Sequence, residues 1–91
     1  MSLPIHWHDG AVADLLEVIS YIAERDPQAA LRLRSRLESA VTSVAEHPFL
    51  HQVGRVPGTR EIVVHPNFIV IYQVTDRIEV TAVVHARQNY P

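Results

Sequence analysis

Along residues 10–25 the apolar positions Val12, Leu15, Leu16, Ile19, Ile22 and Ala23 recur in steps of three and four. That spacing lays side chains on one broad stripe of a helix. Asp14, Glu17 and Glu24 fall mainly off the stripe, and Asp9 is placed to cap its start. Asp26-Pro27 then marks a break and a restart, because Asp26 suits an N-cap and proline suits the first helical turn. A second helix is predicted over 27–47, with Ala30, Leu33, Leu37, Ala40, Val41 and Val44 on its apolar face. Arg32, Arg34, Arg36 and Glu38 lie mostly on the other side, and Pro48 ends the helix. The short connection between the two predicts an antiparallel helical hairpin.

Elsewhere the period is two. Ile5-His6-Trp7-His8 alternates apolar and polar and reads as a short first strand. Residues 48–58, rich in Pro, Gly and His, read as a loop. Segments 59–65, 68–74 and 78–85 are rich in Val, Ile and Tyr and are predicted strands, with His65-Pro66-Asn67 and Thr75-Asp76-Arg77 as turns. Strands joined by such short turns run antiparallel. The expectation is a single α+β domain over 1–91, with a helical hairpin packed on one face of an antiparallel sheet in the order β-α-α-β-β-β.

On the middle strand, Phe68, Val70, Tyr72 and Val74 point to one face, and Ile69 and Ile71 to the other. The helices cover only one face. Cover for the second comes either from a partner chain or from the 48–58 loop and the chain ends. Tyr72 and Trp7 are expected core aromatics.

Composition narrows the function. The chain has 91 residues, 47% of them hydrophobic and 20% charged, which is a globular balance. It has no cysteine, so no disulfide or thiolate metal site is expected. No apolar run approaches the ~20 residues of a membrane span. The start lacks the basic and apolar regions of a signal peptide, and a cytoplasmic location is expected. A net charge of −2 argues against general nucleic-acid binding. All eight basic residues are arginine. Arginine suits bidentate contact with carboxylate or phosphate, but arginine-favouring codon usage is the preferred explanation of the bias.

Six histidines are present: His6, His8, His47, His51, His65 and His85. His6 and His8 share a strand face, but neither cysteine nor a helical His-x3-His pair accompanies them, so neither a metal nor another cofactor is expected. No Gly-rich phosphate loop or nucleophile elbow exists.

The element order and a set of local runs resemble the RelE/ParE toxin superfamily. The runs are Val56-Pro57-Gly58-Thr59-Arg60-Glu61-Ile62-Val63-Val64, Asn67-Phe68-Ile69-Val70-Ile71-Tyr72-Gln73-Val74, Ile78-Glu79-Val80 and Val83-Val84-His85-Ala86-Arg87-Gln88. They correspond to the family's Gly-x-Arg entry, its middle strand of the form YxVIYxV, with Phe68 at the first position, and its last strand ending in His-x-Arg. The resemblance covers essentially the whole chain and rests on the combination rather than on one motif. It implies the toxin half of a type II toxin–antitoxin, or plasmid-stabilisation, pair. An acidic antitoxin, ParD-like or RelB-like, would wrap the toxin in a hetero-oligomer. That agrees with a sheet face in need of cover, and the helical hairpin is a second implied docking surface.

The resemblance also implies two alternative targets. RelE-like members cut messenger RNA on the ribosome without a metal, which requires an acid, a base and cations around a phosphorane. ParE-like members bind DNA gyrase and have no chemistry of their own. For the first, the candidates by resemblance are Arg60, His85, Arg87 and Tyr90. Each also has a plain alternative: Arg60 pairs with Glu61 or Glu79, His85 is a half-buried strand-end residue, and Arg87 only binds antitoxin. Tyr90 falls closer to Arg87 than its counterpart does in RelE. Ile62 and Ile69 stand where RelE-like chains carry basic residues. Losing two cations removes much of the phosphorane stabilisation, roughly 3–4 kcal/mol each. The reading therefore leans to a ParE-like, non-enzymatic toxin, with a degenerate antitoxin-binding module as a third alternative. Arg32, Arg36, Arg55, Ile69 and Ile71 are candidate antitoxin- or target-binding positions.

Overall fold

A computed structural model describes residues 2–86. The elements are β1 (Ile5–Trp7), α1 (Asp9–Arg25), α2 (Pro27–Glu46), β2 (Arg60–His65), β3 (Phe68–Val74) and β4 (Ile78–His85). The two helices pack on one face of a four-stranded sheet ordered β1-β4-β3-β2. Strands β2, β3 and β4 form an antiparallel meander, as short turns require. The sheet as a whole is mixed, which corrects the antiparallel expectation. β1 lies parallel to β4, with Ile5 opposite Ile78, His6 opposite Glu79 and Trp7 opposite Val80. The short-turn rule is silent about β1, because two helices separate it from the next strand.

The main core lies between helices and sheet. Ala11, Leu33, Leu37 and Val44 from the helices meet Val64, Phe68, Val70, Tyr72, Ile78, Val80 and Val83 from the sheet, with Trp7 packed at its margin. On α1 the inward line is Ala11, Leu15, Val18 and Ile22, joined by Ile19. Val12 and Leu16, expected on the buried stripe, are 39% and 61% exposed. Apolar residues there cover more than one ridge of the helix, and the sheet reaches only one.

The caps follow backbone chemistry in part. Asp26 caps α2, its Oδ1 accepting the Ala29 N–H at 3.1 Å. At α1 the N-cap position is His8, which makes no side-chain cap bond, and Asp9 is already in the first turn. The expected Asp9 cap is thus displaced by one residue.

The outer sheet face carries a second cluster of Ile69, Ile71 and Val84, with Ala82 and Ala86 packed against it. Ile69 is 6% and Ile71 2% exposed within the single chain. Their burial needs no partner chain, so of the two sources of cover expected, the chain's own is sufficient at these positions.

Candidate functional site

Arg60 opens β2, opposite Tyr72 on β3. Its guanidinium donates from Nη1 to the His51 carbonyl at 2.7 Å and to the Phe49 carbonyl at 3.3 Å. It also lies over the Phe49 ring, 5.1 Å from the centroid. The Tyr72 hydroxyl donates to the Pro48 carbonyl at 2.9 Å, and the His51 ring meets the Tyr72 ring edge-on. Two side chains from neighbouring strands therefore hold the first residues of the 48–58 loop. Burial pushes the Tyr72 hydroxyl pKa above its ordinary value, and the Arg60 charge opposes the shift. The expected pairing of Arg60 with Glu61 or Glu79 is replaced by these carbonyls, since the three side chains have other partners.

Glu61 is 3% exposed and accepts the Arg55 backbone N–H at 3.0 Å, with the Arg55 guanidinium 3.5 Å away. The loop is further pinned by Gly54, whose N–H donates to the Thr59 carbonyl at 2.8 Å. A Cβ at Gly54 would meet Thr59 Oγ1 at 2.3 Å, so the close approach requires glycine. Held this way, the loop presents Phe49, Leu50 and Val53 at 67%, 71% and 71% exposure.

The remaining candidates are scattered. Arg32 and Arg36 are exposed on α2, and Arg32 faces Asp26 at 3.8 Å. His85 is exposed at the end of β4, its ring edge-on to Phe68 at 5.3 Å. Arg87 and Tyr90 lie outside the described residues. Ile62 packs against the helix-side core, whereas Ile69 belongs to the outer cluster. Both positions are thus apolar packing sites, on opposite faces of the sheet.

A groove of about 740 Å³ separates α1 from the far half of β4. Asp14, Tyr21, Phe68, Val83 and His85 are among its lining residues. It exists because β1 is short: its pairing with β4 ends at Val80, and among the described residues no strand continues on that side. Asp14 Oδ2 accepts the Val83 N–H there at 3.1 Å. Nothing in the local sequence around Asp14 signals this role, because the contact spans most of the chain.

A model of the ParE toxin of the type II parDE toxin–antitoxin system matches residues 5–90. The chain belongs to the ParE toxin family. Similar proteins include "Putative toxin Y4kP" of Sinorhizobium fredii, 36% identical over 96% of this chain and 92% of the relative. "Toxin RelE2" of Caulobacter vibrioides is 39% identical over 77% of this chain and 78% of its own length. Among solved structures, the chromosomal ParDE toxin–antitoxin system of P. aeruginosa contains a chain that superposes with a TM-score of 0.78. At 18% identity, over 92% of this chain and 96% of that one, it shows a shared fold. This ParE-family chain is a type II toxin, with the sheet and helical hairpin of its relatives.

Proposed function

We propose that this toxin arrests growth by binding DNA gyrase, without chemistry of its own, and that an acidic antitoxin neutralises it. The observation that carries the reading is the commitment of Arg60. A phosphorane-stabilising cation must point at the reacting phosphate. Arg60 is instead bonded to two backbone carbonyls and stacked on Phe49. The apolar packing of Ile62 and Ile69 and the net charge of −2 support the same reading. So does the loop that Arg60 holds, whose three exposed apolar side chains suit a protein target better than a phosphate backbone. For the antitoxin, the groove beside β4 offers apolar walls and the edge of a strand, which fits an extended segment added to the sheet. Arg32 and Arg36, on the α2 turns that include groove residues Ala29 and Leu33, are suited to its carboxylates.

A ribosome-dependent ribonuclease is the second reading, favoured by the name of the RelE2 relative. Expression in growing cells separates the two. Gyrase poisoning yields a DNA-damage response with messenger RNA intact, and co-expression of the antitoxin relieves it. Codon-positioned RNA cuts, without that response, would replace the first reading by the second.

A further inference from the structure

His6 lies on β1, and His8, the N-cap of α1, follows one residue beyond the strand's end in extended conformation, so the two rings lie on the same side. The parallel register places Glu79 of β4 directly opposite His6. His8 Nε2 lies 2.8 Å from Glu79 Oε1, and the two imidazole centroids are 5.5 Å apart. One ligand atom from each of the three side chains falls within 4.8 Å of the others. Two residues come from the start of the chain and one from near its end, so the cluster exists only when β1 is docked on β4. Glu79 explains why spacing alone predicts no metal: the third ligand is brought in by sheet register, not by a sequence motif.

We infer that His6, His8 and Glu79 form a binding site for a divalent transition cation of zinc type, which clamps β1 to β4.

Two imidazoles and a carboxylate are the donor set for zinc, with water in the fourth position. Ligand bonds of about 2.0–2.2 Å separate tetrahedral donors by roughly 3.3–3.5 Å. The cation would enter between His8 Nε2 and Glu79 Oε1, which now meet directly, and small side-chain rotations bring in His6. The other carboxylate oxygen, Oε2, is held by the Arg77 guanidinium, which orients the carboxylate from outside the cluster. The cluster lies on the β1 edge and shares no residue with the Arg60 loop or the groove beside β4. It therefore stands independently of the choice of target.

A cation bound only by the folded chain stabilises it by mass action. Free zinc at a hundred times its Kd raises the folded-to-unfolded ratio about a hundredfold. The test uses the full, untagged chain and zinc chloride, followed through the histidine ring resonances and urea unfolding. His6 and His8 signals shift and saturate near one equivalent, while His47, His51, His65 and His85 stay in place. His6→Gln removes an exposed ligand, leaves metal-free stability unchanged and weakens zinc binding at least tenfold. Glu79→Gln, which keeps the side-chain shape, weakens it similarly. If the His6 and His8 rings do not respond, or His6→Gln binds zinc as tightly as the parent chain, the cluster is an ion pair and nothing more.

Discussion

Arg60 and Tyr72 face each other across β2 and β3 and fasten the same loop. Arg60→Ala is expected to lower stability by about 1–3 kcal/mol in urea unfolding, the range for hydrogen bonds made by a charged group. Arg60→Lys restores only part of this, because an ammonium lacks the planar fork and the stacking surface. An unchanged unfolding midpoint in Arg60→Ala would return the side chain to the list of available cations. Tyr72 supplies a pH test. Its folded-state pKa is raised above the ordinary value of 10.0 by burial. Its contribution is therefore complete below that value and declines as pH rises through the folded-state value. Tyr72→Phe should lose about 1 kcal/mol at neutral pH and flatten this alkaline decline, as measured by unfolding at stepped pH. The sequence made Arg60 visible as a candidate, but its partners are backbone carbonyls nine and eleven residues away, which side-chain types do not reveal.

At the scale of elements, periodicity was sufficient wherever one face of an element is buried by its neighbour. Strands β3 and β4 occupy the predicted segments, and Asp26-Pro27 divides the helices. Asp26→Ala should cost about 1 kcal/mol through the lost cap, and Asp26→Ser should recover most of it. Periodicity misled on α1, where Val12 and Leu16 extend the apolar stripe beyond the ridge that meets the sheet. Leu16→Gln is accordingly expected to change stability by less than about 0.5 kcal/mol, whereas Leu15→Ala, packed on the core, should cost about 2 kcal/mol or more. Equal losses from the two would restore the wider stripe. The parallel placement of β1 and the groove beyond Val80 are products of strand order. Local hydrophobic pattern specifies faces, and strand order across two intervening helices depends on packing between distant segments.

For the whole molecule, membership of the ParE toxin family and the fate of the candidate cations bear on one mechanism. Arg60 anchors a loop, Ile62 and Ile69 pack on opposite faces, and Phe49, Leu50 and Val53 on that loop are exposed. No helix among the described residues is long and apolar enough to cross a membrane. The proposed action is accordingly the occupation of a protein surface, that of DNA gyrase. The most direct measurement combines purified toxin, DNA gyrase and supercoiled plasmid and scores trapped, protein-linked DNA breaks. Breaks that increase with toxin, and decline for Leu50→Asp at unchanged fold stability, are the predicted result. Unaffected gyrase, alongside ribosome-dependent messenger RNA cleavage by the same preparation, would contradict it.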